Sequence, residues 1–241
     1  MTIFAPLFAA LQNLFWLIPF MLIGSGIAQY LKPKIKGWFG ERLVKSVIKR
    51  HGFECVDDAY LQDENDRLTQ IDHAVLIAGH LVIIETKNYA GAIFGQAGEG
   101  RWTQKLGRFK FKFQNPIMQN KLHIRIAQDL FPRASIQSLI CFVGEAEFPK
   151  GKPEGVVFLR ELADTLKDYR SQALDPDQAR SGLRAFVAIA QAQYVVDLKE
   201  IRKAHLQQLR ERFGRGNTRS ILAAVQIGLG LLIALGLLIF S

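Results

Sequence analysis

The middle of the chain reads Leu68-Thr-Gln-Ile-Asp-His-Ala-Val-Leu-Ile-Ala-Gly-His-Leu-Val-Ile-Ile-Glu-Thr-Lys-Asn-Tyr89. Two runs rich in β-branched residues meet at Gly79-His80, and strands favour such residues. Glycine beside a polar residue is typical of a two-residue hairpin turn. The pattern therefore predicts a β-hairpin in which residues 69–77 pair antiparallel with residues 81–88.

The register of this hairpin decides which side chains share a face. If Gly79 and His80 form the loop, Ala78 lies opposite Leu81, Ala74 opposite Glu85 and Asp72 opposite Lys87. Directly opposed residues project from the same side, so Asp72, Glu85 and Lys87 share a face for any loop of even length. We expect His73 on the other face. Charged groups on an otherwise apolar sheet must be paired or desolvated, which makes this face the candidate site.

Both ends of the chain are apolar. Residues 1–31 contain no Asp, Glu, Lys or Arg, and residues 220–241 form a second uncharged run. Each run is long enough for a transmembrane helix, and we predict one at each end. A secretory signal is the alternative at the N-terminus, but no basic residues precede the apolar run.

Basic residues flank both predicted spans on the side of the central domain. By the positive-inside rule, this domain faces the cytoplasm at the inner membrane, and both chain ends face outward. The net charge of +9 suits these flanks, anionic lipid or a nucleic acid. The flanking residues are Lys32, Lys34, Lys36, Arg210, Arg212, Arg215 and Arg219.

Two predicted helices bracket the hairpin. Residues 35–52 have helical spacing of apolar residues and carry Glu41, which would either face solvent beside Lys45 or assist the site. Asn115-Pro116 predicts a helix start, and residues 116–130 then place Gln119 and His123 one turn apart on one face.

Residues 91–100 are rich in glycine and are interpreted as turns. The following Arg108-Phe-Lys-Phe-Lys-Phe113 alternates aromatic and basic residues like a strand. In one interpretation the phenylalanines lie in the core, and Arg108, Lys110 and Lys112 protect an edge strand from aggregation. In the other, which is compatible with the first, these cations contact nucleic-acid phosphates beside the acids, with His123 as a further candidate contact.

The order of these pieces resembles the PD-(D/E)xK nuclease superfamily and, more narrowly, the nuclease-related domain (NERD) family. The resemblance covers about residues 37–145, with Ile71 where the superfamily name has Pro. The matching pieces are Gly40-Glu41, Gln70-Ile-Asp-His73, Ile84-Glu-Thr-Lys-Asn-Tyr89, Gly91, Trp102, Asn115-Pro116, Gln119 and His123.

The resemblance implies a three-layer α/β core with a mixed sheet and a phosphodiester-cleaving site. In such a site Asp72 and Glu85 hold Mg²⁺ or Mn²⁺, Glu41 assists the metal, Lys87 positions or activates water, and Gln119 supports them. Oxygen ligands of this kind suit hard divalent ions. A buried salt bridge of Lys87 with one acid is the alternative, but the second acid would then lack a cation.

Together these patterns predict a membrane-anchored, metal-dependent nuclease acting on DNA or RNA. The alternative is a non-catalytic module that binds nucleic acid or protein at the membrane. The predicted domains are a transmembrane helix at 1–31, a nuclease-like domain at 32–170, a basic helical segment at 171–219 and a second transmembrane helix at 220–241.

Overall fold

A computed structural model describes residues 16–62, 68–195 and 218–240. The chain divides into two compact units. One contains the described residues up to Lys36 together with the C-terminal helix, and the other contains the described residues from Gly37 to Val195. Residues 196–217, which form part of the basic helical segment predicted at 171–219, lie outside the described residues.

The larger unit is built on a five-stranded mixed sheet in the order β1-β2-β3-β7-β9. Strands β1, β2 and β3 are antiparallel neighbours, whereas β7 runs parallel to β3 and β9 runs parallel to β7. The strands are β1 (Glu54–Gln62), β2 (Leu68–Ile77), β3 (His80–Lys87), β7 (Ile136–Phe142) and β9 (Val156–Phe158).

A smaller four-stranded sheet has the order β6-β5-β4-β8, which leaves β6 as an edge strand. Its strands are β4 (Gly91–Phe94), β5 (Arg101–Leu106), β6 (Phe109–Gln114) and β8 (Ala146–Glu147). The prediction of turns throughout 91–100 was therefore wrong at its start, where Gly91–Phe94 forms β4. This sheet shares a core with the first through Trp102, Ile93, Ile140 and Phe142, all of which are buried.

Helices cover both faces of the five-stranded sheet, as the three-layer prediction requires. The helices are α1 (Leu17–Arg50), α2 (Pro116–Leu130), α3 (Leu159–Ser171), α4 (Pro176–Val195) and α5 (Thr218–Phe240). One core cluster joins Val44 and Ile48 of α1 with Leu162 and Leu166 of α3, so α1 and α3 cover one face of the sheet, which we call the α1 face. The other cluster contains residues of α2 and α4, which cover the opposite face, called the α2 face.

The hairpin turn differs from its prediction by one residue. Ala78 and Gly79 form the loop, with φ values of 48° and 90°, and Ile77 pairs with His80. Two positive φ values in succession give the type I′ turn whose twist matches the flanking strands. The loop still has two residues, so Glu85 and Lys87 keep the predicted face, on which Ala74 and Leu76 also lie. In the paired part, from His73 to Ile77, each residue of β2 lies opposite a β3 residue two positions earlier than predicted.

The first predicted helix also differs, because α1 begins at Leu17 rather than near residue 35 and contains Pro33. In the smaller unit this helix packs on α5, where Gln29 Nε2 donates to Gln226 Oε1 at 2.8 Å. Gly26 and Gly230 lie where a Cβ would meet the other helix's backbone. Among the described residues one helix, Ser220–Leu238, is long and apolar enough to cross a bilayer, with a mean hydropathy of 2.5. Residues 1–15 of the predicted first span lie outside the described range.

Candidate active site at the fork between β2 and β3

The candidate site lies where β2 and β3 separate. Their pairing reaches His73 and Ile84 and then ends, while β3 stays paired with β7 as far as Lys87 and Phe142. Continuing the register would place Asp72 opposite Glu85. The next amide of β3 bonds to a side chain rather than to a carbonyl of β2, because Thr86 N donates to Asp72 Oδ2 at 2.8 Å. The sheet thus opens at the fork beside two carboxylates, and the hydrogen bond from Thr86 to Asp72 holds the two strands together at its edge.

An irregularity in β1 and β2 explains how Asp72 reaches the fork. Asp58 lies between the pairs Asp57–His73 and Ala59–Ile71, opposite Asp72, and has a φ of 51°. In a regular strand, residues three apart face opposite sides. Here both strands break that rule, because Val56 with Ala59, and Ile71 with Ala74, pack in the same core cluster. The alternation of faces therefore slips at Asp58 and Asp72.

Glu85 and Lys87 project from the end of β3 on the α2 face. The ammonium of Lys87 donates to Glu85 Oε1 at 2.5 Å and to Gln119 Oε1 at 3.1 Å. Glu85 is only 3% exposed. Gln119 is placed by α2, which starts as predicted: Asn115 is its N-cap and accepts from Ile117 N. The structure thus brings together Asp72, Glu85, Lys87 and Gln119.

His123 lies one turn further along α2, buried against the same carboxylate. Its Nε2 atom is 3.4 Å from Glu85 Oε2, and its Nδ1 atom is 2.5 Å from Thr69 Oγ1. The contact with Glu85 lacks hydrogen-bond geometry, so Glu85 Oε2 and His123 Nε2 are buried without a hydrogen-bond partner among the described residues. With 5% exposure, His123 is placed inside the site rather than at a surface for nucleic acid.

Glu41 approaches the fork from the α1 face. The preceding Gly40 lets the helix come close to the end of β3, because a Cβ there would lie 3.0 Å from Asn88 Cβ. Lys45 does not pair with Glu41 as the alternative had it, since its ammonium contacts Asp57 at 2.5 Å. Burial, Asp58 and more weakly Glu85 raise the pKa of Glu41, so Glu41 lies within the electrostatic reach of the site.

The pKa values of the two central acids, Asp72 and Glu85, are shifted in opposite directions. Burial and the neighbouring Glu85 hold the pKa of Asp72 well above its ordinary value. Burial acts in the same direction on Glu85, but Lys87 and His123 keep the pKa of Glu85 below its ordinary value. Burial acts to lower the pKa of Lys87, yet Glu85 and Asp72 keep it raised, so Lys87 is an ammonium. The single charge of Lys87 thus faces two acids, and the excess negative charge is reflected in the raised pKa of Asp72.

This donor set fits a divalent metal ion. Glu85 Oε2 is a buried carboxylate oxygen without a hydrogen-bond donor among the described residues, and the raised pKa of Asp72 reflects a carboxylate short of positive charge. A cation beside Asp72 and Glu85 would relieve both. Magnesium and manganese accept such oxygen ligands, whereas the site offers no thiolate.

A second group of possible ligands, Cys55, Asp57 and His73, lies on the α1 face with ligand atoms within 4.8 Å of one another. Its charge is already balanced, because Asp57 contacts Lys45 and accepts from His73 Nδ1 at 2.7 Å. Burial and Asp57 raise the pKa of the Cys55 thiol, which opposes the thiolate that a metal requires. We interpret this group as a structural network.

The basic residues predicted to contact nucleic acid lie on the edge of the smaller sheet. Arg108 and Lys110, like Lys112, are exposed on the β5–β6 hairpin. The expectation that all three phenylalanines lie in the core was wrong for Phe109 and Phe111, which are 56% and 37% exposed. Phe113 alone packs inward, with its ring 4.5 Å from that of Tyr89.

Two site-supporting residues were missed from the sequence. Thr69 holds His123, and Asn120 donates to Ile83 O and Ser138 Oγ, tying α2 to β3 and β7. Asn120 is completely buried, and a buried amide requires partners. The helical spacing of Asn120 from Pro116 and Ile117 could have indicated a buried position, whereas nothing local marks Thr69.

Comparisons with known proteins identify the family of this chain. The model of the nuclease-related domain family matches residues 36–143. The chain is also 31% identical over 195 residues to an uncharacterized protein of Bacillus anthracis, an alignment that covers 76% of this chain and 88% of the relative. No solved structure matches the chain significantly.

Proposed function

The chain belongs to the nuclease-related domain family, and from this membership and the buried acids at the fork we propose that it is a metal-dependent nuclease. Its substrate would be DNA or RNA, and its reaction the hydrolysis of a phosphodiester bond. The observation that carries the proposal is Glu85: one carboxylate oxygen is held by Lys87, while the other is buried without a hydrogen-bond donor among the described residues.

In this proposal Asp72 and Glu85 hold Mg²⁺ or Mn²⁺, and Glu41 assists from α1. A bound divalent ion would supply charge neutralisation at the phosphate and lower the pKa of an attacking water. Lys87, as an ammonium, would orient that water or stabilise the phosphate charge. Gln119 fixes the Lys87 ammonium by a hydrogen bond, and His123 limits the orientations of Glu85.

We further propose that the protein is anchored in the inner membrane through α5 and a span within residues 1–31, with the nuclease-like unit in the cytoplasm. The apolar α5 and the basic residues on the inner sides of both apolar runs support this arrangement. The hydrogen bond between Gln29 and Gln226 is the kind of polar contact that joins helices in a bilayer.

The nuclease proposal can be tested with the detergent-solubilised full chain. Labelled DNA and RNA are incubated with Mg²⁺ or Mn²⁺, and parallel samples contain EDTA. We expect metal-dependent cleavage that falls about 100-fold or more in Glu85→Gln and Lys87→Ala, because each removes a transition-state interaction in a buried site. Glu154→Gln and Lys150→Ala change exposed residues of the same types and serve as controls.

If the wild type cleaves nucleic acid and both site variants cleave it equally well, the activity does not come from this site. Absence of cleavage on every substrate would favour the second candidate function, a non-catalytic module that binds nucleic acid. That alternative is supported by the exposed cations of the β5–β6 hairpin, which need no metal to hold a phosphate.

A further inference from the structure

The β5–β6 hairpin carries an unusual concentration of positive charge. From Arg101 to Gln114 it contains five cations and no acid: Arg101, Lys105, Arg108, Lys110 and Lys112. Lys105 lies directly opposite Lys110 in the ladder, so two ammonium groups share one face. Like charges in opposed positions destabilise a strand pair, and a bound polyanion would reverse that effect.

The other face of the hairpin exposes a small aromatic platform. Phe109 and Phe111 have ring centroids 6.5 Å apart, and Leu106 lies beside them opposite Phe109 with 40% exposure. The core does not need these two rings, because Phe113 provides the aromatic contact with Trp102 and Tyr89. Exposed phenylalanines flanked by cations are a feature of surfaces that bind nucleic-acid bases.

We propose that this hairpin binds single-stranded nucleic acid, with unpaired bases stacked on Phe109 and Phe111 and phosphates held by the lysines. A duplex hides its base faces, so it cannot use the rings. The ring spacing is about twice the ~3.4 Å rise per nucleotide of a stacked strand, which requires an extended strand. Because β6 is an edge strand, long lysine side chains can reach phosphates that run along that edge.

The hairpin is separated by a single residue from the helix that carries two of the site residues. Asn115 separates β6 from α2, and Gln119 follows in the first turns of that helix. Strand β6 thus leads directly into the helix that bears Gln119 and His123. This inference deepens the proposed nuclease function by naming its substrate class, and its substrate role rests on that function.

Binding is measured separately from cleavage by using the full chain with Glu85→Gln and no divalent ion. Labelled single-stranded DNA and RNA are compared with a duplex of the same sequence. Replacing Phe109 and Phe111 together by leucine keeps the surface apolar and removes stacking. We expect this variant to lose at least 10-fold in affinity for single strands and to keep its duplex affinity, since only unpaired bases can stack on the rings.

A second variant, Lys110→Gln with Lys112→Gln, removes charge and leaves the rings. This variant should have a lower affinity for both single strands and duplex, and its binding should depend less on salt, because fewer counterions are displaced. Retained single-strand affinity in the leucine variant, or equal losses for single strands and duplex, would overturn base stacking. Single-strand binding that depends on Phe109 and Phe111, in a wild type that cleaves no substrate, would uphold the interface and reject the nuclease.

A membrane surface could also attract an aromatic and basic hairpin, and a third measurement separates the two ligands. Phe109→Trp in nanodiscs adds a tryptophan at the platform. Quenching of the added fluorescence by a single-stranded oligonucleotide supports the proposal. Quenching by brominated lipid, unaffected by the oligonucleotide, would overturn it.

Discussion

Asp72 is the residue at which stability and function conflict. Its carboxylate is needed at the edge of the fork, where it accepts from Thr86 N, but burial and Glu85 raise its pKa. An acid with a raised pKa in the folded state stabilises the fold least when it is ionised. The metal-free protein should therefore carry a penalty at neutral pH that a bound cation removes.

This penalty gives a prediction for Asp72→Asn, which keeps an oxygen for the Thr86 amide and removes the charge. The contribution of Asp72 to the stability of the metal-free wild type should be greatest below the ordinary Asp pKa of about 3.9 and should fall as pH rises towards the higher pKa in the folded protein. At neutral pH in EDTA, Asp72→Asn should be more stable than the wild type by on the order of 1 kcal/mol.

Thermal unfolding in detergent, with EDTA or Mg²⁺, measures both effects. Added Mg²⁺ should raise the Tm of the wild type and leave that of Asp72→Asn unchanged, because binding only to the folded state stabilises it. Glu154→Gln is again the surface control. A variant less stable than wild type in EDTA at neutral pH would contradict the assigned role of burial at Asp72.

At the scale of elements, the β2–β3 turn is held from two sides. Gly79 has positive φ, and a Cβ on it would lie 2.6 Å from Ala179 Cα and Cβ in α4. Ala78 also has positive φ but is exposed, so its side chain adds backbone strain without packing. The turn therefore has one position where glycine is required and one where alanine is a poor choice.

These two positions form a matched pair of substitutions. Ala78→Asn should stabilise the protein by ~0.5–1 kcal/mol, because asparagine tolerates the left-handed region and Asn-Gly is the preferred type I′ pair. Gly79→Ala should destabilise it by more than that, through strain and collision with α4. Denaturant unfolding measures both changes, and equal effects at the two positions would argue against the described turn.

The β2–β3 hairpin shows which features of the fold could be predicted from the sequence and which could not. Its existence follows from the β-branched runs, and the shared face of Glu85 and Lys87 follows from an even loop, whichever two residues form it. The opposed partners do not follow, because Gly79 could occupy either turn position and α4 helps to decide between them. The fork was equally hidden, since it depends on Asp58 adopting a positive φ.

The basic-aromatic strand was misjudged for a related reason. Alternation identifies two faces but does not show whether either is covered, and only Phe113 meets the core. His123 shows the reverse, because its spacing from Gln119 placed both on one face of α2 but did not reveal its burial against Glu85. The family resemblance indicated which residues belong to the site, including Gln119 and His123, whereas the burial of each side chain depends on elements distant in sequence.

At the scale of the whole molecule, the proposed topology puts both chain ends outside and the site inside. A cysteine at position 241 should therefore react with a membrane-impermeant maleimide in intact cells. Lys150→Cys, on an exposed loop of the larger unit, should react only after permeabilisation. Cys55 and Cys141, which are partly and fully buried, set the background. Labelling of Lys150→Cys in intact cells would reverse the orientation derived from flanking charge.

Asn115 has a consequence for how the larger unit opens. Its side chain is completely buried, donates to the carbonyls of Gln96, Ala97 and Glu99, and also caps α2. These bonds form together only when the 95–100 loop and the start of α2 are both in place. Amide hydrogens in the two segments should consequently exchange with deuterium as one cooperative unit, so that breathing of the loop and fraying of the helix are a single event.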